Sequence, residues 1–430
     1  MRSTLSALTG KAIRRAARLR GGGSALPGLI VERIDPHFMR RTLEQLPRGV
    51  IVISGTNGKT TTTKMVVALL RSQGLKVMTN PTGSNFTRGV TAALIDQVDS
   101  RGQLDADIAV LELDEAHAVH FVRSVQPRYC LLLNVMRDQL DRFGEIDTTT
   151  QMLHTIASRT TDGVVINADD PRLATATFVD NLPTATITGF GVHKTLRPQL
   201  PSDDEMRDQA ATNQASAELA DITELTAIDN SAVTMTFGGR SYQVPLKLKG
   251  IYNQQNAAGA IALVRLVMGD GLQTGQMLQA LSQVEPAFGR GETIHVDGHA
   301  VELVLVKNPS GFRLALTSFT PDSTDTMIAI NDQFADGRDM SWLWDVDFDS
   351  LRSGGVHTVT GVRAYDMALR LQYDLVEIGE VVASPAKALQ RFLTGDKPGK
   401  RIYCSYTAML ELRRLLGAGK AVEEVSSDDQ

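Results

Sequence analysis

The sequence predicts an α/β protein, with one large unit on a mainly parallel sheet and a smaller C-terminal α/β (Rossmann-like) unit after it. Near-continuous apolar runs, "GVIVIS" (49–54), "DIAVLEL" (107–113), "YCLLLNV" (129–135) and "GVVIN" (163–167), have the composition of strands buried on both faces. Helical patterns such as 60–73 and 253–268 intervene or follow, the alternation that a parallel sheet covered by helices requires. At 430 residues the chain is too long for one ordinary core, so two domains are the natural division.

Taken in order, residues 1–44 come first as a basic helix and a glycine-rich hinge. "MRSTLSALTGKAIRRAARLRGGGSALPG" contains no acid, while Arg2, Lys11, Arg14, Arg15, Arg18 and Arg20 are all basic. Leu5, Leu8, Ala12, Ala16 and Leu19 recur at three- and four-residue steps, as on one helical face. Two readings stay open: a helix docked on its own domain with a solvated basic face, or one lying against anionic lipid headgroups. The segment lacks the apolar core of a secretion signal. Residues 45–292 form the expected nucleotide-binding domain, interrupted at about 195–230 by a polar, acidic stretch that reads as a loosely packed insertion, with strands at about 231–248. The second domain spans 293–420, with strands at "MIAIN" (327–331), "VHTVTG" (356–361) and "RIYCSY" (401–406) and helices near 363–372 and 406–416. Residues 421–430 are an acidic, frayed tail.

Composition excludes several classes. Hydrophobic residues at 42% and charged residues at 22% describe a globular chain, and a net charge of −5 argues against general nucleic-acid binding. No run approaches the ~18 apolar residues of a membrane span. Two cysteines, Cys130 and Cys404, are too few for a disulfide framework or a four-cysteine zinc site and fit a reducing compartment.

The chemistry begins at "SGTNGKTTTT" (54–63). Against the phosphate-loop pattern G-x-x-x-x-G-K-[ST], Gly58, Lys59 and Thr60 match, Ile53 stands at the first glycine position, and Gly55 lies three residues before Gly58. The mechanism survives the shift. Glycines let backbone N–H groups face phosphate oxygens at a helix N-terminus, Lys59 reaches the outer phosphates, and Thr60 offers a hydroxyl to Mg²⁺. The competing reading is a glycine turn with a surface lysine.

The shortened loop resembles the ATP loop of the Mur ligase and folylpolyglutamate synthase superfamily, and further stretches resemble that family in order: "LELDEAH" with Glu112 and Glu115, "NVMRDQLDRFG" (134–144), "NADDP" (167–171), "GIYNQQNAAGAIA" (250–262) and "FGRGE" (288–292). The resemblance implies a Mur ligase-type central ATPase domain that uses ATP and Mg²⁺. Gly55, Thr56, Asn57, Gly58, Lys59, Thr60, Thr61, Asn167, Asp169, Asn256 and Arg290 would meet ATP, Thr60 and Glu112 would hold Mg²⁺, and Lys59 would be catalytic. Each has a plainer alternative: a helix-capping acid for Glu112, ordinary helix polarity for Asn253 and Asn256, a surface ion pair for Arg290. Two departures stand out. Gln139 replaces the histidine of the family's D-H-L-D stretch, and no lysine lies between Gln139 and Asp170 to carry the carbamate that holds a second Mg²⁺. Only 48 residues precede the first strand, too few for the family's UDP-binding domain.

The C-terminal stretches "LVKNPSGF" (305–312), "NDQFADGRDMSWLWDVDFD" (331–349) and "YCSYTAMLELRRLL" (403–416) resemble the MurT family, the ligase subunits of lipid II isoglutaminyl synthases. That resemblance implies amidation of the α-carboxylate of D-glutamate in the lipid II stem peptide through an acyl phosphate. Ammonia would come from a GatD-type glutamine amidotransferase in a heterodimer, at the cytoplasmic side and, as an option, peripheral to the inner face of the plasma membrane. Asp345, after Trp342 and Trp344, would complete the partner's Cys–His site, with the two tryptophans as interface anchors; contact with substrate or metal and a plain surface acid are the alternatives. No zinc is expected, since residues 171–250 contain no cysteine. Cys130 sits inside an apolar strand and Cys404 lacks flanking glycines, so neither reads as a glutaminase nucleophile. Two rival functions remain: an amino-acid-adding ligase of the Mur or folylpolyglutamate type, and a nucleotide-dependent scaffold that activates a glutaminase.

Overall fold

The computed structural model describes residues 2–19, 26–80, 86–138, 146–183, 186–200, 217–219, 221–229, 232–286, 289–296, 298–318, 323–337 and 339–417. The chain forms two compact units. One comprises the residues up to Met136, Ile146–Lys247 and Tyr252–Val284; the other runs from Glu285 onward and takes in Leu248–Ile251 and the stretch beginning at Arg137.

In the first unit, helices α1 (Arg2–Leu19), α2 (Leu26–Ile34) and α3 (Phe38–Leu43) lead into β1 (Val50–Ser54). There follow α4 (Lys59–Ser72), β2 (Val77–Thr79), α5 (Thr87–Gln97), β3 (Ile108–Glu112), α6 (Glu115–Ser124) and β4 (Tyr129–Leu132). Then come α7 (Ile146–Ser158), β5 (Gly163–Asn167), β6 (Thr186–Val192), β7 (Ile222–Ile228), β8 (Val233–Phe237), β9 (Arg240–Val244), α8 (Ile251–Met268) and α9 (Thr274–Gln283). The sheet order is β2-β3-β1-β4-β5-β6-β7-β8-β9, parallel as far as β7 and antiparallel at β8 and β9. Every residue of β1, β3 and β5 is buried, as strands covered on both faces must be. The chain leaves β1 to build β2 and β3 on one side, then crosses to β4 on the other. Such a switch in strand order opens a crevice at the strands' C-terminal ends, the usual ligand site of open α/β sheets.

Two segments differ from the sequence expectation. Leu26–Gly28, the second half of the "GGGSALPG" hinge, belongs to α2, with Pro27 and Gly28 buried; residues 20–25 lie outside the described residues. Within the polar stretch 195–230, Ile222–Ile228 is β7, paired parallel with β6, whereas 201–216 lie outside the described residues. Only Thr223 and Leu225 of β7 are buried, so its alternation supplies almost no apolar signal. The N-terminal helix is docked: Ala7 is buried, Ser6 donates to Asp35 (2.7 Å), and Arg14 pairs with Asp96 at the end of α5.

The second unit contains β10 (Arg290–Val296), β11 (His299–Leu305), α10 (Pro309–Ser318), β12 (Thr324–Ala329), β13 (Val356–Thr360) and α11 (Ala364–Tyr373). β14 (Ile378–Val382), α12 (Pro385–Leu393), β15 (Gly399–Cys404) and α13 (Tyr406–Leu415) complete it. Its order is β10-β11-β15-β12-β13-β14, parallel except at β10–β11, with an apolar layer on each face. Phe312, Phe348 and Tyr403 lie on one side and Phe392 and Met409 on the other, each such fully buried side chain contributing about 1.5–3 kcal/mol.

Candidate active site

The loop after β1 is shaped by two glycines at positive φ, Gly55 (+132°) and Gly58 (+89°). A Cβ at Gly58 would lie 2.5 Å from the Asn256 amide nitrogen, so glycine is required there both by backbone angle and by the close approach of α8. Thr62 N–H makes an i→i−4 bond to Gly58 O (3.0 Å), which leaves the preceding N–H groups at the open end of α4. The loop is fastened to the chain beyond β4 by Asn134. Thr56 N–H donates to Asn134 O (3.0 Å), Asn57 N–H to Asn134 Oδ1 (2.9 Å), and Asn134 Nδ2 returns a bond to Asn57 O (3.1 Å).

Lys59 is buried, and its ammonium donates to Gly55 O (2.6 Å) and to Glu115 Oε2 (3.2 Å) on the first turn of α6. One residue on, Thr60 Oγ1 donates to Glu112 Oε1 (2.8 Å) at the end of β3. Asn80, just past β2, clamps the Glu112 backbone by accepting from its N–H (3.0 Å) and donating to its C=O (2.9 Å). The hydroxyl and carboxylate of Thr60 and Glu112 are hard oxygen donors. Their 2.8 Å separation is close to the edge of an octahedron with metal–oxygen bonds of about 2.1 Å, roughly 3 Å. These residues fit Mg²⁺, and the first turn of α4 fits a phosphate.

Asn167 and Asp169 are already engaged in structure. Asn167 donates to Leu133 O (2.9 Å) and accepts from Asp169 N–H (3.0 Å). Asp169 accepts from Val192 N–H and from Gln255 on α8, both at 2.8 Å. Burial raises the Asp169 carboxyl above its ordinary value, against the opposing pull of Arg197, Val192 N–H and Gln255. These two residues join β5, β6 and α8, whereas Asn256 lies directly over Gly58. Asp170 performs a similar task, holding Val135 N–H (2.6 Å) and the N–H groups of Arg172 and Leu173. Gln139 lies outside the described residues; Arg290 opens β10 of the second unit, with its side chain outside the description.

Comparison with known proteins agrees with this arrangement. Residues 53–264 match the family described as Mur ligase middle domain, and residues 305–409 match the one described as MurT ligase C-terminal. The lipid II isoglutaminyl synthase (glutamine-hydrolyzing) subunit MurT of Streptococcus pneumoniae is 28% identical over 452 aligned positions, covering 99% of each chain. The chain belongs to the Mur ligase family, in its MurT branch. The UDP-N-acetylmuramoylalanine–D-glutamate ligase of Paraburkholderia phymatum is 28% identical over 264 positions, covering 59% of this MurT-type chain and 47% of the relative. In fold, MurF ligase from Thermotoga maritima, solved in complex with ADP, superposes with a TM-score of 0.64 at 15% identity, covering 90% of this chain and 83% of that one.

In the second unit of the MurT-type chain the two tryptophans part company. They occupy a 3-10 turn, Ser341–Asp345, in which residues two apart point in different directions. Trp342 is buried against Phe312, which corrects its reading as an interface anchor. Trp344 is 48% exposed, packs edge-on against Tyr373 with ring centres 5.1 Å apart, and lies beneath the Arg370 guanidinium (5.5 Å). Asp345 is half-buried at the end of the turn. Several neighbouring aspartates serve the backbone. Asp336 caps α13 through Thr407 N–H (2.7 Å), and Asp339 accepts from Ser341 N–H (2.9 Å), the Ser341 contacts holding its carboxyl below the ordinary value. Cys130 and Cys404 are fully buried strand residues; burial pushes the Cys130 thiol up to about 12 and the Cys404 thiol higher still.

Proposed function

We propose that this chain is the ligase subunit of an amidating complex, converting the α-carboxylate of D-glutamate in the lipid II stem peptide to the amide of D-isoglutamine. One conjunction carries the reading. A phosphate loop with Lys59 fixed beside the Thr60–Glu112 oxygen pair occurs in the same chain as a region resembling the MurT ligase C-terminal family. ATP, when bound, supplies the phosphoryl group that turns the inert carboxylate into an acyl phosphate, and Mg²⁺ supplies positive charge at the phosphate oxygens.

The chain's own residues position and stabilise. The first turn of α4 would present N–H groups to an anion, while Asn134 holds the Thr56 and Asn57 N–H groups and so fixes the loop's shape; Glu115 with the Gly55 carbonyl fix the Lys59 ammonium at the mouth of the loop. Thr60 and Glu112 would hold the metal, and Asn256 would steady the nucleotide where it overlies Gly58. Ammonia then attacks the acyl carbon, a C–N bond forms, the C–O bond to phosphate breaks, and inorganic phosphate leaves.

Neither cysteine is placed to generate the ammonia, because both thiols are fully buried inside strands, where glutamine cannot reach them and burial disfavours the thiolate. A partner glutaminase is therefore the source, with Asp345 supporting its Cys–His pair. The outer face of α11 suits such a partner. Tyr365 (71% exposed), Leu369 (48%) and Tyr373 (69%) recur every four residues and continue onto Trp344, a larger apolar stripe than a solvated helix carries. The decisive experiment supplies lipid II, ATP and ammonium to wild-type protein and to Lys59→Ala, with product mass as the readout. The variant is expected to lose at least about 10²-fold in rate. Undiminished amide formation, or turnover driven by added amino acids rather than ammonia, would sink the reading.

A further inference from the structure

Helix α1 docks on the side opposite to the one its leucine repeat marks. Ser6, Ala7 and Gly10 are buried in the first unit, and Arg14 is held by Asp96 of α5. A Cβ at Gly10 would lie 2.9 Å from Ile95 Cγ2 on α5, so the glycine lets the two helices approach closely. Leu8, by contrast, is 49% exposed, Ala12 and Arg15 are exposed, and Lys11 is half-buried. At about 100° per residue, Leu8, Ala12 and Arg15 are centred roughly 150° around the helix from the docked residues. Leu8 and Ala12 thus face away from the domain, and the sequence continues their three- and four-residue steps at Leu5, Ala16 and Leu19.

This outward side also carries positive charge. α1 has no acidic residue, and no acid precedes Glu32, in a chain whose net charge is −5. Lys11 and Arg15 lie four residues apart along the flank of the Leu8–Ala12 row. Long basic side chains so placed can cover apolar surface with their stems while their charged heads reach polar groups. An apolar row flanked by cations matches the headgroup boundary of an anionic bilayer, which takes up the apolar side chains and pairs the cations with lipid phosphates. Other occupants fit less well. The core of a protein interface draws on aromatic anchors, and α1 contains none. A nucleic acid would engage the cations through its phosphates but leave Leu8 and Ala12 in water.

We propose that α1 lies along an anionic bilayer surface, with Leu8 and Ala12 at the headgroup boundary and Lys11 and Arg15 paired with lipid phosphates. Its 18 residues make a rod about 27 Å long that can lie flat without leaving its place on α5. Among the described residues no helix is long and apolar enough to cross a membrane, so the contact is made from one side. The phosphate loop belongs to the same unit as α1, so nucleotide would be bound close to the membrane. The inference stands on α1 alone and does not depend on the amidation reading.

The test sediments the full chain with vesicles of phosphatidylcholine alone or of phosphatidylcholine mixed with phosphatidylglycerol. Wild type should bind the anionic vesicles at least about tenfold more tightly than the neutral ones, and added salt should weaken that binding. Lys11→Glu combined with Arg15→Glu should lower the affinity at least about tenfold, and Leu8→Asp by a similar factor. Thermal melts should be unchanged, because none of the three residues belongs to the docked side. The charge-conserving pair Lys11→Arg and Arg15→Lys should bind as wild type does, which separates a charge effect from a folding effect. Equal affinity for the two vesicles, failure to bind either, or anionic binding that survives both the charge reversal and Leu8→Asp would overturn the proposal. So would variants that keep the vesicles but lose a partner protein, or a wild-type chain that captures duplex DNA and not the vesicles.

Discussion

Glu112 is held at both ends, its peptide group by Asn80 and its carboxylate by Thr60, so little freedom is left to lose when a cation arrives. Glu112→Gln keeps the shape and the hydrogen bond but removes the charge. The expected outcome is a half-saturating Mg²⁺ concentration raised about tenfold or more, with ADP binding in chelator unchanged. A magnesium titration of ATP turnover checks this, and an unshifted curve removes Glu112 from the metal site. Lys59, Thr60 and Glu112 were legible because motif residues sit at fixed offsets from a strand end. Asn134 and Asn80 were harder to see: Asn134 stood inside a quoted stretch without a role, and a lone asparagine after a three-residue strand leaves no pattern. Asn167 and Asp169 matched a motif, yet their side chains are spent on joining strands. The cysteines offer a second check at this scale. With Cys130 near 12, only about one thiol in 10⁴ is ionised at pH 8. The folded protein should resist a thiol reagent, whereas two thiols should titrate after denaturation; rapid labelling of the native chain would contradict the burial described.

Among the elements, α11 carries the clearest liability in water. Its inner face, with Met367 and Leu371, joins its own core, while Tyr365, Leu369 and Tyr373 face out. Leu369→Glu places a charge at the middle of that stripe without touching the phosphate loop's residues. Glutamine-dependent amidation and co-purification of the glutaminase should be lost, while ammonium-dependent amidation persists. Retention of the partner by this variant would move the interface elsewhere. The strands and helices of the first unit could be read from periodicity because burial on both faces makes β1, β3 and β5 uniformly apolar. β7 escaped because only two of its residues are buried, and Trp342 was misplaced because sequence spacing does not tell which side of a 3-10 turn faces the core.

At the scale of the whole chain, the N-terminal helices are secured by a small polar lock. Asp35 accepts both Arg41 Nη2 (2.6 Å) and Ser6 Oγ (2.7 Å), and Arg41 foremost holds its carboxyl below the ordinary 3.8. A carboxyl whose pKa is lower folded than unfolded binds fewer protons in the native state. Its stabilisation is therefore complete above about pH 4 and is lost as pH falls through the lower folded value. Amide exchange in α1 should accelerate relative to β1 on going from pH 5 to below 3.5, and Asp35→Asn should show the faster exchange already at pH 5. Equal protection at both pH values would exclude the lock. The phosphate loop has a different dependence on the rest of the chain. Its fastening partner Asn134 lies 77 residues beyond Asn57, and Asn256, which closes over Gly58, comes far later still. Contacts so distant in sequence form late and slowly, after long loops have been closed. If Asn256 steadies the nucleotide as proposed, fragments that stop short of it should give no thermal shift with ADP. On the role proposed for Asn256, nucleotide recognition would certify that the chain has been completed as far as α8.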